Sequence, residues 1–354
     1  MFMTEGSIRK NIIKFSVPMM LSYAFQQLYT IVDSAVVGNF VGTEALAGVS
    51  ATNALVFMIV GFFIGTFSGA GVVISKHWGA HEFDKVSDAS HTAIVLGIIF
   101  GIGVTIAGVT LAPAILKLMK TPAEVFPQAL TYLRYYFGGS VFIVLFNTAN
   151  GIHQAVGDSK HPLYYLIVAT ILNIVLDFLL VGYFGFGIAG AAVATVIAQA
   201  VSAVCSIWHL MRVDEPYRLK LSGLRSGFDR EIFKKMLVYG IPAGVQNSVL
   251  SIGNVVIQAN VNAFGAAAIA GSGAYFRVEG LAFIPITSIA MALTTFVSQN
   301  LGAAKYQRAK DGARFGIFLS MALAESICLL IMLNARALVG IFDSEKKHTA
   351  ALMS

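Results

Sequence analysis

The sequence predicts an all-α membrane protein with many spans. Three observations carry this. The 354 residues are 57% hydrophobic and 12% charged, with a mean hydropathy of +0.77, whereas soluble domains carry about 25% charged residues. Apolar runs of about 20 residues or more recur along the chain, the length one helix needs to cross a bilayer. Lys and Arg are confined to the short connections between those runs. Only helices and closed barrels satisfy their backbone groups in lipid. Runs this long without period-2 alternation exclude a barrel.

Nine spans are expected. The first covers about Phe15–Gly38, the second Ala47–Ser75 and the third Thr92–Leu118. The fourth covers Gln128–Asn150, the fifth Pro162–Tyr183 and the sixth Ile188–Met211. The seventh covers Phe233–Phe264, the eighth Ile269–Val297 and the ninth Ala313–Leu338. Basic residues cluster before the first span (Arg9, Lys10, Lys14) and after the second (Lys76, Lys85), fourth (Lys160), sixth (Arg212 to Lys235) and eighth (Lys305, Arg308, Lys310, Arg314). Of the opposite connections, only the third carries any, Lys117 and Lys120. Positive loops stay in the cytoplasm, so the N-terminus is expected inside and the ninth span leads outside. The same placement explains the net charge of +6 without nucleic acid. A cell-membrane location, plasma or inner, follows.

An internal repeat organises these spans. Val41-Gly42-Thr43-Glu44-Ala45-Leu46-Ala47-Gly48 matches Phe264-Gly265-Ala266-Ala267-Ala268-Ile269-Ala270-Gly271 at an offset of 223 residues. Ile74-Ser75-Lys76-His77-Trp78-Gly79-Ala80 matches Val297-Ser298-Gln299-Asn300-Leu301-Gly302-Ala303 at the same offset. Six spans separate the copies, so the repeat is parallel, with halves related by an axis along the membrane normal, as in many transporters. Residues 1–211 then form a six-helix lobe, 212–232 a cytoplasmic linker, and 233–354 the first three helices of a second lobe. The offset calls for three more spans, ~80 residues, and nothing in this chain supplies them. On that count the chain alone is expected not to sustain vectorial transport.

Polar residues inside spans mark the candidate site. Asp33 lies in the first span, where a carboxylate costs roughly 2.5–3.5 kcal/mol near the bilayer centre. Asn173 and Asp177 are four apart on the fifth, hence on one face. Thr195 is on the sixth, and the alternating span directions bring it level with Asp33 and Asp177. Oxygen ligands in one layer suit a hard cation or a shared proton. Taken singly, Asn173 and Thr195 read as interhelical hydrogen-bonding residues. Asn147 and Asn150 lie somewhat lower, on the fourth. The second half offers Gln246, Asn247, Asn254, Gln258 and Asn260 on the seventh span, and Arg277 and Glu279 on the eighth. Arg277 and Glu279 are two apart, so they line a cavity or pair with other helices rather than with each other.

Other chemistry is not indicated. There is no phosphate-binding loop, no His-Glu-x-x-His and no Gly-x-Ser-x-Gly, so an enzyme is not expected. Cys205 and Cys328 lie alone in apolar segments and form neither a disulfide framework nor a metal site. His77, His81, His91, His153 and His161 sit in or beside connections and read as solvated.

The stretch Gln26–Gly48, the block Pro242-Ala243-Gly244-Val245-Gln246-Asn247, the block Ser298-Gln299-Asn300-Leu301-Gly302-Ala303 and the repeat together resemble the MATE family, the multidrug and toxic compound extrusion transporters. The resemblance implies a twelve-helix fold of two six-helix lobes around a central cavity. It implies export of cationic or amphipathic small molecules in exchange for Na⁺ or H⁺, with no cofactor beyond that ion and with membrane lipid around it. It also implies a cation site of Asp33, Asn173, Asp177 and Thr195, which is the metal site if Na⁺ is the coupling ion. Gln26, Tyr29, Asn147, Asn150, Gln246, Asn247 and Arg277 become candidates to line the cavity, and Pro18 a bend in the first helix. The alternatives are a lipid-linked precursor flippase of the same superfamily, which needs a more basic cavity than Arg277 alone provides, and an inactive truncated membrane product or scaffold. Topology is open to a direct check: a cysteine at Ser222 should resist impermeant thiol reagents in intact cells, and one at Ala266 should label.

Overall fold

The computed structural model describes residues 1–42, 61, 65–66, 68–118, 121–226, 228–262 and 266–342, and the side chains at 118, 224–226, 255, 258–259, 262, 266–278 and 335–342 are not among the described ones. Among the described residues the chain is helical with no strand. In order the helices are α1 (Ile8–Phe40), α2 (68–79), α3 (Phe83–Leu118), α4 (Phe126–Gly138), α5 (Ser140–Ala155), α6 (Lys160–Asp177), α7 (Gly187–Arg212), α8 (Leu221–Ser226), α9 (Arg230–Asn262), α10 (Ala266–Gly302) and α11 (Tyr306–Phe342). Among the described residues, five helices are long and apolar enough to span a membrane, and the bent pair α4–α5, taken as one span, makes a sixth. They correspond to the third to sixth, eighth and ninth expected spans. The first and seventh are α1 and α9, 33 residues each and more polar. Most of the second, with Ala47 and Gly48, lies outside the described residues.

Local chemistry shapes each helix. Ser7 caps α1 by accepting from the Lys10 N–H at 3.5 Å. Ser16 and Ser22 return their hydroxyls to the carbonyls of Ile12 (2.7 Å) and Pro18 (3.0 Å). α1 runs on through Pro18 as one helix. The expected fourth span is not straight: α4 and α5 meet at 51° across Gly139. A Cβ on Gly139 would collide with Val196 of α7, so the break lets the chain turn directly against a neighbour. α6 widens into a π-helical turn, Phe178–Tyr183, and Gly185 (φ +66°) and Gly187 (φ +58°) make the left-handed reversal into α7.

α3 to α7 pack on one another, α10 packs on α11, and α1 lies against both α6 and α10. One apolar core gathers Ile74 and Trp78 of α2, Val86 and Ile94 of α3, Ile152 of α5, Leu210 of α7 and Met236 of α9. The expected linker is not merely solvated: Tyr217 and Leu219 are buried in this core, and the Lys220 N–H donates to His91 Nε2 at 2.9 Å.

The repeat reappears as a contact. Gly79 and Gly302 occupy equivalent repeat positions, as do Lys76 and Gln299. A Cβ on Gly79 would run into the backbone of Gln299, and a Cβ on Gly302 into the backbone of Lys76. Helix backbones approach this closely only where a side chain is missing. Gln299, fully buried, spans the junction. Its Nε2 donates to Ala155 O of α5 at 2.9 Å, and its Oε1 accepts from the Met3 N–H at 2.8 Å. The segment before α1 is gripped in turn by Arg308, which donates to the carbonyls of Gly6 and Glu5, each at 2.8 Å. Replacing Gln299 with Leu strands two buried backbone partners, at about 1–3 kcal/mol. Its melting temperature in detergent should drop clearly, whereas Gln307→Leu, which removes only an exposed bond to Asp311, should leave it unchanged.

Candidate functional site

α1, α6 and α7 bring four polar side chains together. Asn173 and Asp177 are fully buried on the inner face of α6, Thr195 is 2% exposed on α7, and Asp33 is 6% exposed on α1. Asp33 lies close enough to Asp177 for their charges to interact. Tyr29 lies beside both acids and Thr195, and Tyr132 beside Asp33, Asp177 and Tyr29. Val36, Val37, Val181 and Ile188 pack around Tyr132 on the same side of the pocket. Asp177 is the last α-helical residue before the π turn, so the backbone widens immediately after it.

The hydrogen bonding of this set is incomplete. Among the described residues, one oxygen of Asp33, both of Asp177 and both amide atoms of Asn173 are buried without a protein partner, and the Thr195 hydroxyl has the Tyr29 side chain beside it. Buried polar atoms are nearly always paired. Two carboxylates, one amide oxygen and one hydroxyl present hard oxygen donors, which fit Na⁺ or a proton and not a soft metal. Asn173, Thr195 and the acids are the residues that would hold such a cation.

Other expected residues are spread out. Asn147 returns its amide to Ile143 O at 2.8 Å, and Asn150 keeps a buried oxygen without a partner. Gln26 and Gln246 are exposed and Tyr29 is half-buried. Asn247 donates to Gly61 O at 3.1 Å, tying α9 to the second helical region. Arg277 lies outside the described side chains. Sequence reading passed over Tyr132, Tyr136, Thr170 and Gln199. The last two were signalled by helical spacing, three residues before Asn173 and four after Thr195.

Comparison with known proteins places the chain. The MatE family model matches residues 18–179 and 242–353. The chain belongs to this family. The matched segments include Asp33, Asn173 and Asp177, while Thr195 falls between them. A relative described as "Probable multidrug resistance protein YoeA", from Bacillus subtilis, is 29% identical over 97% of this chain and 75% of its own length. "Probable multidrug resistance protein NorM" from Thermotoga maritima is 28% identical over 96% and 73%. Among solved structures, "Outward-facing conformation of a multidrug resistance MATE family transporter of the MOP superfamily" superposes with a TM-score of 0.91 at 25% identity, covering 99% of this chain and 78% of that one. The protein is thus a multi-pass membrane transporter of the MatE family and not an enzyme.

The histidines depart from expectation. His77, His91 and His153 are buried, His153 completely, because the connections fold back over the helix ends. His77 Nδ1 meets Glu82 at 2.5 Å, and His91 receives the Lys220 N–H. Asp158, between α5 and α6, reaches His161 Nδ1 at 2.6 Å and lies 3.3 Å from His153 Nδ1. Its Oδ1 also accepts the Lys160 N–H at 3.1 Å. Burial works to raise the Asp158 carboxyl, but the imidazoles of His153 and His161 outweigh it and hold the group well below the usual carboxylate range. A depressed carboxyl contributes stability above its unfolded value of about 4 and loses it as pH falls through the folded value. Thermal stability should therefore decline as pH drops below about 4. Asp158→Asn should be less stable at pH 7 and should flatten that acid limb, as read from melting temperatures across pH 3–7.

Proposed function

We propose that this transporter is a cation-coupled antiporter that exports cationic or amphipathic compounds by alternating access, in exchange for Na⁺ or H⁺. The observation that carries the reading is the buried acid pair, Asp33 and Asp177, with oxygens left unpaired inside a helical bundle. Intramembrane carboxylates of this kind mark ion pathways by default. The names of the multidrug relatives support a drug-like substrate. Tyr29, Gln26, Asn147, Asn150, Gln246, Asn247 and Arg277 are the residues proposed to face it. The N-terminus lies in the cytoplasm of a cell-membrane protein.

The mechanism follows from charge. Two carboxylates in one apolar pocket repel each other unless a cation or proton lies between them. Cation arrival from outside neutralises the pair, and α1, the helix that carries Asp33, repacks. Pro18 is the proposed bend, since it lacks a backbone donor for the preceding turn. Repacking reshapes the cavity and releases substrate outward. A positive charge crossing the full potential inward gains about 2.3 kcal/mol per 100 mV.

The test uses the protein expressed with its complete reading frame. Asp33→Asn and Asp177→Asn should each reduce ion-coupled ethidium efflux at least ten-fold with normal membrane abundance. The double variant should be no worse than either single, because the pair acts as a unit. Unaltered pH and Na⁺ dependence in Asp33→Asn would remove the central claim.

A further inference from the structure

Below the acid pair, α7 presents one polar stripe. Thr195, Gln199, Ser202, Ser206 and His209 recur every three or four residues, so they share a single helix face. The stripe is about 21 Å long at 1.5 Å per residue. Thr195, Ser202 and Ser206 on it are all buried. α6, packed against α7, sets Asp177, Asn173 and Thr170 on one face of its own.

Several buried hydroxyls elsewhere in the protein satisfy themselves on the carbonyl four residues back. Ser16, Ser90 and Thr148 do so at 2.7–2.8 Å. Along this seam they do not. Among the described residues, the Thr170 and Ser206 hydroxyls and the Gln199 side-chain oxygen have no protein partner. Ser202 alone is tied across, to Tyr165 O at 3.0 Å. If the stripe merely glued helices together, its members would bond one another. Unpaired buried polar atoms at such intervals are instead satisfied by water.

The seam ends in titratable groups. Tyr165 on α6 hydrogen-bonds with His209 Nδ1. The His209 ring lies 4.1 Å from that of His161 and 5.2 Å from that of His153. Asp158 contacts both of those imidazoles. Tyr217, from the segment after α7, and the Met1 amine lie within electrostatic range of Asp158, and Glu215 lies within range of both of them. Imidazole and carboxyl side chains exchange protons, so a cluster of this composition suits protons as the cargo.

We infer that the α6–α7 seam is a hydrated proton path leading from Asp177 to the His209–His161–His153–Asp158 cluster. This rests on the cation-coupled reading and names the ion that leaves through the first half of the chain. A proton on the water of the acid-pair pocket enters the seam, leaving its electron pair on that water oxygen. It passes along waters held by Asn173, Gln199, Thr170 and Ser206, and a neutral imidazole of the cluster takes it up. Release of the proton to the water at that membrane face restores the neutral imidazole.

Two measurements on the complete protein in liposomes test it, with Cys205 and Cys328 replaced by Ser. In the first, Ag⁺ should modify Ser206→Cys at least ten-fold faster than Ala203→Cys, whose site is as deeply buried but lies in an apolar cluster with Phe146 and Leu166. This arm needs no transport, so it stands even if the export reading fails. Equal or slower reaction at 206 means a dry seam and overturns the inference. In the second, proton flux under a valinomycin-set potential, read with trapped pyranine, should fall at least ten-fold in Gln199→Leu and in His209→Phe. Flux unchanged in both variants, or a parent flux no greater than that of protein-free liposomes, also overturns it.

Discussion

An ionised carboxylate cannot stay unpaired in an apolar bundle without a large desolvation cost, and the first half of this molecule is arranged around that constraint. Asp33 and Asp177 come from helices that begin some 150 residues apart in the chain. They meet because α1 packs on α6 and α6 on α7. Several of their oxygens have no protein partner among the described residues. A bundle with such groups favours whatever neutralises them, and a cation or a proton does so most simply. The π turn directly follows Asp177, on the side away from the α7 stripe, and Tyr29 and Tyr132 lie near both acids.

The second constraint is backbone approach. Where the two copies of the repeat meet, Gly79 and Gly302 allow helices to touch at distances that any side chain would forbid. The symmetry is not complete. At the paired position one copy has Lys76, which is exposed, and the other has Gln299, which is fully buried. Gln299 bonds both to α5 and to the segment before α1, so one amide joins three separate parts of the chain. Arg308 and Lys305 add side-chain bonds to the carbonyls of that segment. These bonds sit beside an apolar cluster in which Met3, Ile12 and Phe15 pack against Ala292 and Phe296.

Much of this was legible in the residues. Run length and charge placement specify spans, because the bilayer penalises any unsatisfied backbone and any unpaired charge. Helical spacing placed Asn173 and Asp177 on one face, and the same spacing carries the stripe from Thr195 to His209. The histidines were not legible. His153 and His91 stand next to connections, where solvation is the natural expectation, yet folded-back loops bury them. The break at Gly139 was hidden too, because glycine inside an apolar run looks the same whether the helix bends or runs straight.

The sequence by itself determined the helical class, the repeat and the polar residues within the spans. Each depends on local composition or on spacing along one helix, and bilayer physics reads both directly. Only the tertiary structure decided which of those residues share a pocket, which connections turn inward and where the two copies touch. Those outcomes depend on distances between helices far apart in the chain. Such distances are set by side-chain volume at the crossings, by the missing Cβ of Gly79, Gly139 and Gly302, and by where buried amides find their partners.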